Sequence, residues 1–216
     1  MVLNKKSIIL FLFLFKVLFI IAQVKPPKVY GGIGFYLAPD LEGSGYADFT
    51  AGIEVFSYKF IAPEIEVSYF IGGIETLTET DENGYDSKIF DKAFNATIVS
   101  ITPKLFFWEG EGLRLVVIPK YSFADITVRA KVTGITDFYA KTEAFYESKR
   151  QLNFWSFGAG IEGELNNEKI HIGGYLIYTG FDVSKGIKEF ELGGFNVSRF
   201  ATKTLGINIR VMYSFW

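Results

Sequence analysis

The chain has no cysteine, one histidine and six prolines in 216 residues. The missing cysteines exclude disulfides, thiolate metal sites and a lipid-modified N-terminal cysteine. The lone His171 cannot build a histidine-based metal cluster. Basic residues are in slight deficit, with 22 Lys and Arg against 24 Asp and Glu, and they form no block suited to nucleic acid. After residue 22 no long apolar run occurs, yet 49% of the residues are hydrophobic and 18% aromatic, with 23 phenylalanines. So much apolar material without runs must be spread in alternation, as expected when half of every strand faces a nonpolar medium.

One apolar run does stand at the N-terminus. Lys5 and Lys6 precede a stretch from Ser7 to Ala22 that is almost wholly apolar, interrupted by Lys16. A short charged region followed by an apolar core reads as a secretory signal peptide over residues 1–22. The run falls short of the ~20 residues a spanning helix needs, which disfavours a retained anchor. Its removal takes away three lysines and no acid, leaving 19 basic and 24 acidic side chains. Residues 23–28 contain Pro26-Pro27, which cannot sit inside a paired strand, and read as a periplasmic lead-in to a barrel domain over 29–216.

Eight alternating segments follow. They cover about 29–37, 46–58, 64–73, 93–107, 113–123, 152–165, 169–181 and 204–216. In the second, Phe49, Ala51, Ile53 and Val55 alternate with Asp48, Thr50, Gly52 and Glu54. In the last, Leu205, Ile207, Ile209, Val211, Tyr213 and Phe215 alternate with Gly206, Asn208, Arg210 and Ser214. Side chains two apart share a face of a strand, so one face is apolar and the other polar. Pro103 in the fourth segment is expected to mark a bulge or ladder break. Connections between segments alternate short and long, with 74–92 and 182–200 as long connections. Sorting of this kind suits a meander crossing a membrane, with short turns and both termini in the periplasm and long loops outside.

Between the fifth and sixth segments, Ile126, Val128, Ala130 and Val132 alternate with Thr127, Arg129, Lys131 and Thr133. Here the apolar positions are even, where upstream they were odd, which implies a phase switch and a bulge near Ala124-Asp125. The expectation is a two-stranded ribbon over 124–150 projecting past the outer surface, with a tip near Val132–Ile135 and open edges offering strand addition to a protein partner.

This pattern resembles the small outer-membrane barrels of the OmpA/OmpX type, and within them the Bacteroidetes outer-membrane β-barrel domain proteins, over residues 24–216. The resemblance implies an all-β, eight-stranded antiparallel up-and-down transmembrane barrel in a Gram-negative outer membrane, after a cleavable signal peptide. It also implies contact with outer-membrane lipid, and recognition by the barrel-assembly machinery of a C-terminal signal at Ile207, Ile209, Val211, Tyr213 and Phe215. The sequence departs from that pattern in placing Phe215 next to last, with Trp216 after it.

The inward-facing charges form the candidate site: Asp48, Glu54, Glu64, Glu66, Glu162 and His171 with Lys104, Arg114, Lys120 and Arg210. An eight-stranded barrel is just wide enough for side chains to fill, so such charges must pair. They are expected to form a structural network, with Glu54, Glu64, Glu66 and Glu162 as partners for Arg210. Aromatics at strand ends, namely Tyr58, Phe107, Trp108, Tyr213, Phe215 and Trp216 toward one side and Tyr69, Phe94, Tyr121, Phe123, Trp155 and Tyr178 toward the other, are expected to form two girdles. Asp81–Asp86 has calcium-loop composition but lacks the bidentate Glu of such a loop. No residue is assigned a catalytic, cofactor-binding or metal-binding role. The expected function is non-enzymatic: a structural or surface-interaction protein acting through its outer loops. A narrow pore or secretion-system accessory barrel is the alternative, and a soluble lipocalin-like barrel the third, which would need an apolar lumen.

Overall fold

The computed structural model describes residues 25–37, 45–82, 84–110, 112–136, 139–165, 169–183, 191–192, 195–196 and 204–215. Its strands are β1 (Lys28–Leu37), β2 (Gly45–Glu54), β3 (Ile61–Thr80), β4 (Asp86–Gly110), β5 (Leu113–Thr136), β6 (Tyr139–Glu164), β7 (Ile170–Thr179), β8 (Glu191–Leu192), β9 (Phe195–Asn196) and β10 (Thr204–Ser214). Eight of them close an antiparallel up-and-down barrel in the order β1-β10-β7-β6-β5-β4-β3-β2, and β8 and β9 form a separate hairpin. The last strand closes the ring against the first, with Val29 opposite Tyr213 and Leu37 opposite Leu205.

Strand lengths fall into two classes. β1, β2 and β7 have 10 residues and β10 has 11, about what one tilted membrane crossing takes. β3, β4, β5 and β6 have 20, 25, 24 and 26. The surplus stands above one end of the barrel as a four-stranded sheet, which we call the extension. Residues 74–92 are therefore not a long loop: β3 runs through Thr80 and β4 starts at Asp86, with Thr76 paired to Asp91 and Thr78 to Ile89. Polar composition alone suggests a loop there, but threonine is at home in a solvated sheet. The ribbon over 124–150 is correspondingly four strands wide rather than two. The pairing of β5 with β6 runs out to Thr136 and Tyr139.

The expected phase switch near Ala124-Asp125 does not occur. β5 pairs with β4 without a register shift from Ile101↔Tyr121 to Lys88↔Gly134, and with β6 from Leu113 to Val132. Val116, Ile118, Lys120, Ser122, Ala124, Ile126, Val128, Ala130 and Val132 are all buried, so even positions face inward along the whole strand. What changes is the surroundings. In the barrel the outer face carries Leu113, Leu115 and Phe123; in the extension it carries Asp125, Arg129 and Lys131. The inner face turns apolar in the extension, where Phe90, Phe94, Ile126, Val128, Ala130 and Val132 pack in one cluster with Phe181 and Val183. Phe94 thus faces inward and is not part of an outer girdle.

Pro103 does coincide with an interrupted ladder. β4–β5 pairing stops after Ile101↔Tyr121 and resumes in the same register at Leu105↔Val117, with Pro103 and Pro119 in the gap. Pro103 also stands opposite Pro63. Proline donates no hydrogen bond, so three adjacent strands yield donors at one level.

Around the short-strand level the outer surface is a continuous apolar belt. It includes Val29, Ile33, Phe35, Phe49, Ile53, Ile65, Val67, Val99, Ile101, Leu115, Ile161, Ile172, Leu176, Ile207, Ile209 and Val211, all exposed. At its upper rim Tyr121 lies 4.9 Å from Trp155 and 5.0 Å from Phe123, ring to ring. At the lower rim Tyr213 meets Phe215 edge to face, and Phe107 and Trp108 are exposed. An apolar surface of this extent is not left bare in water. Ile209→Arg, mid-belt, is expected to cost about 2–4 kcal/mol of folding stability in lipid vesicles, whereas Thr78→Arg on the extension stays within about 0.5 kcal/mol. Urea unfolding of both variants checks this, and equal costs would remove lipid from the outer face.

Candidate functional site

The lumen is packed by a rule visible in the strand register. Four inward tyrosines each have a glycine directly opposite on a neighbouring strand: Tyr30 faces Gly52, Tyr36 faces Gly206, Tyr46 faces Gly72 and Tyr175 faces Gly160. Arg210 has Gly32 on one side and Gly173 on the other. A Cβ at Gly52 would collide with the Tyr30 ring, and one at Gly206 with the Tyr36 ring. Missing side chains on one strand therefore make the slots that receive rings from the next.

Tyr30 and Tyr175, seated in these slots, hold the Arg210 guanidinium between them at 4.8 and 4.9 Å from the ring centroids. A desolvated guanidinium over aromatic faces is stabilised by the ring quadrupoles. Its nitrogens complete the site: Nη1 reaches Glu64 at 3.1 Å, Nη2 reaches Glu66 at 2.8 Å, and Nε donates to Asn208 at 3.0 Å. Tyr30 donates to Glu64 and Glu66, and Tyr175 to Glu162 at 2.7 Å.

Glu64 joins this centre to a second cation. Lys104 lies 2.8 Å from Glu64, 2.9 Å from Glu162 and against Glu54. Lys28 adds a longer ion pair to Glu54 at 3.8 Å, and Lys120 binds Glu66. Asp48 accepts from Tyr36, Thr50 and Asn208. Of the carboxylates expected beside Arg210, Glu64 and Glu66 are there; Glu54 and Glu162 turn to Lys104 instead. Arg114 and His171 stand apart from the network, at the short-turn end. Arg114 binds Glu109 and Glu164 at 2.8 Å each, and His171 lies 3.8 Å from Glu164. They share inward parity with the network but are the second residues of β5 and β7, which puts them at the rim. Tyr30, Tyr175, Lys28 and Asn208 are not singled out by the sequence; their inward parity is legible, their partners are not.

Above the network the lumen is stoppered by aromatics. Phe181, just past β7, lies with its ring 5.3 Å from Phe70, 5.3 Å from Phe154, 5.8 Å from Phe94 and 6.0 Å from Tyr46. Tyr36 stacks on Tyr46 at 4.7 Å, and Tyr46 shares a 2.5 Å hydrogen bond with Thr204. Between stopper and network, a cavity of about 10 Å³ lined by Glu66, Ser68, Ser100, Lys120, Ser122 and others remains, room for about one water. Asp81 serves its own turn, accepting from the Tyr85 amide at 2.9 Å. Among the described residues no group of three or more acidic, histidine or cysteine side chains is placed to hold a metal.

The barrel geometry has counterparts among solved structures. A major outer membrane protein of Thermus thermophilus matches with a TM-score of 0.50 and 13% identity, over 88% of this chain and 99% of that one. Neisserial surface protein A follows at 0.48 and 8%, over 89% and 99%. Ail, the attachment invasion locus protein of Yersinia pestis, follows at 0.43 and 9%, over 88% and 98%. At such identities the likeness is one of fold. No protein-family model matches the chain, and no curated protein matches it.

Below the belt, one oxygen of Glu109 accepts from Lys25 at 2.9 Å and from Arg114 Nε at 2.9 Å, which ties the lead-in to the ends of β4 and β5. Lys25 and Arg114 hold the Glu109 carboxyl below the usual carboxylate range. A depressed folded-state value stabilises above the unfolded value and is lost as pH falls through the folded one; because Glu109 is half exposed, the contribution is small. Carboxyl NMR of labelled Glu109 is expected to show an upward move in Lys25→Ala. Arg210→Met, which leaves Glu64 and Glu66 without their guanidinium, is expected to cost roughly 3–5 kcal/mol. Adding Glu64→Gln and Glu66→Gln should return part of that loss in urea unfolding, since the neutral amides need no counter-ion.

Proposed function

We propose that the chain is an integral outer-membrane barrel protein whose role is non-enzymatic: it holds the four-stranded extension outside the cell as an interaction surface. The observation that carries this proposal is the pair of strand lengths. Four strands stop at the belt and four overshoot it by roughly ten to fifteen residues, taking 9–11 for a crossing. The overshoot is a packed sheet, with an apolar inner face closed by Phe181 and a charged outer face. Short turns and both ends of the barrel then lie in the periplasm, residues 1–22 serve as the signal peptide that brings the chain there, and Ile207 to Phe215 present the terminal pattern to the assembly machinery.

The charged lumen acts as a structural plug. A pore needs a continuous wet path, and side chains fill this lumen at two levels, the Arg210–Lys104 network and the Phe181 stopper. A soluble ligand-binding barrel needs an apolar interior and a polar exterior, the reverse of what β1, β2, β7 and β10 carry.

The absence of native cysteine makes a clean topology test. Tyr139→Cys at the tip of the extension is expected to react with a membrane-impermeant maleimide on intact cells. Phe60→Cys, exposed in a short turn, should react only after the outer membrane is opened. The opposite labelling pattern would invert the proposed orientation. Equal labelling of both before opening would place the chain outside the membrane.

A further inference from the structure

At its short-turn end the barrel carries a cavity of about 430 Å³, within the range of small-molecule sites. Lys25 of the lead-in, Tyr58 and Lys59 of the turn between β2 and β3, Phe106 and Glu109 of β4, and Arg114 of β5 line it. Three cations thus share the cavity with one carboxylate. Arg114, 4% exposed, gives Nε to Glu109 and Nη2 to Glu109 and Glu164. Lys25 donates to Glu109. The Lys59 ammonium lies 5.3 Å from the centroid of the Tyr58 ring, and among the described residues no carboxylate pairs with it. An ammonium has three donors and no acceptor, so Lys25 keeps donors to spare and Lys59 keeps all of its own.

The backbone singles out the same residue. Lys59 has a φ of 46°, in the left-handed region, and among the described residues no other non-glycine residue has a positive φ. Glycine takes that conformation freely. A long side chain held there carries strain of the kind that gathers at ligand clamps. The lipid side lies one residue away. Phe60 follows Lys59, Phe107 and Trp108 precede Glu109, and all three aromatics are exposed. The Phe106 amide donates to the Phe60 carbonyl at 2.8 Å, which ties the two strand ends together. Cavity and aromatic rim are therefore the inner and outer sides of the same strand ends.

We infer that this cavity binds a phosphate group through the ammonium groups of Lys59 and Lys25, and that a phospholipid of the adjacent leaflet supplies it. A carboxylate is matched best by an arginine fork, and Arg114 already gives Nε and Nη2 to carboxylates. Lysines are point charges on flexible stems, suited to a tetrahedral anion that can be approached from several sides. Arg114 adds its positive field from within while keeping its partners. A lipid whose chains lie against Phe60, Phe107 and Trp108 brings its phosphate to the strand ends that carry Lys59. Calling that leaflet the periplasmic one rests on the proposed orientation. The cavity and its cations do not depend on that orientation, which the cysteine labelling tests separately.

The test uses full-length protein in detergent, mixed with phosphatidylglycerol, with the retained lipid counted by native mass spectrometry. Wild type is expected to retain it. Lys59→Gly and Lys25→Gln should each bind it roughly tenfold less tightly, as losing one charge-assisted hydrogen bond does. Lys131→Gln removes the same charge from the extension and should change nothing. Glycine relieves the backbone at position 59, so Lys59→Gly should also raise the urea midpoint. A lysine kept only for the fold gives the reverse, a lower midpoint with retention unchanged. Lys25 lies outside the barrel strands, so its variant reports on binding whatever Lys59→Gly does to folding. Inorganic phosphate, titrated into lipid-free protein by calorimetry, separates the sources. Phosphate bound with no lipid retained keeps the site and overturns the phospholipid as its source. Neither bound overturns the site, as does equal retention by wild type and both variants. A fall in Lys131→Gln as large as in Lys59→Gly overturns it too, since net charge alone would then explain binding. Inverted cysteine labelling beside retained lipid overturns the orientation and leaves the site standing.

Discussion

The Arg210 guanidinium is the fixed point of this barrel. A charge that cannot be neutralised at any accessible pH sits fully buried in the lumen. It must be compensated by the chain itself, and the chain does so from every side. Its direct partners come from β1 (Tyr30), β3 (Glu64, Glu66), β7 (Tyr175) and β10 (Asn208). Through Glu64 the network passes to Lys104 on β4, and from there to Glu54 on β2 and Glu162 on β6; through Glu66 it reaches Lys120 on β5. All eight barrel strands therefore supply a group to one connected set. Replacement of such a network by well-packed apolar residues is often neutral or stabilising, so its value here is better sought in register. A strand that slips by one residue turns its charge into the belt and its isoleucine into the lumen, and two residues of slip part it from its partner.

The glycines make that network possible, and they also explain which part of it is legible. Alternation alone places Asp48, Glu54, Glu64, Glu66, Lys104, Lys120, Glu162 and Arg210 on inner faces, and the structure puts all of them there, buried. Height along the barrel is not legible, because it depends on register between strands far apart in sequence. For that reason alternation groups Arg114 and His171, right in parity, with a network they do not join, and offers Arg210 four carboxylates where two reach it. The Tyr–Gly pairs are hidden for the same reason. Tyr36 and Gly206 are far apart in the chain and meet only because the last strand closes on the first.

The extension escapes a sequence reading for a different reason. The inner face of β5 changes from Lys120 and Ser122 to Ile126 and Val128, while the outer face changes from Tyr121 and Phe123 to Arg129 and Lys131. Periodicity reports which positions are apolar, not which face is inside. When a strand leaves a medium that is apolar outside and enters one that is aqueous, the same geometry requires the opposite pattern. A face exchange and a change of solvent are then indistinguishable in sequence unless a bulge-forming residue marks the spot. Ala124-Asp125 contains none, and the ladder runs straight through. The prolines and glycines that do mark irregularities, at Pro103 and Gly73, sit where the ladder pauses or shifts.

The two halves of the molecule therefore answer opposite demands with the same four strands. In the belt every backbone donor and acceptor must be satisfied within the sheet, and only closure does that. Above the belt water satisfies open edges, so closure is no longer required. The extension keeps its core by other means: Phe181 and Val183 fold over the inner face where a closed wall would otherwise be needed. That substitution has a structural consequence. Phe181 belongs at once to the stopper of the lumen, with Tyr46 and Phe70, and to the core of the extension, with Phe94 and Phe154. Sheet and barrel share a side chain at their junction, so the sheet is held at a set angle to the barrel instead of hinging on four strands alone. The proposed interaction role would gain from this junction, because a surface whose angle to the barrel is fixed loses less freedom when a partner is captured, and Phe181, packed against rings of both parts, is the side chain that would fix it.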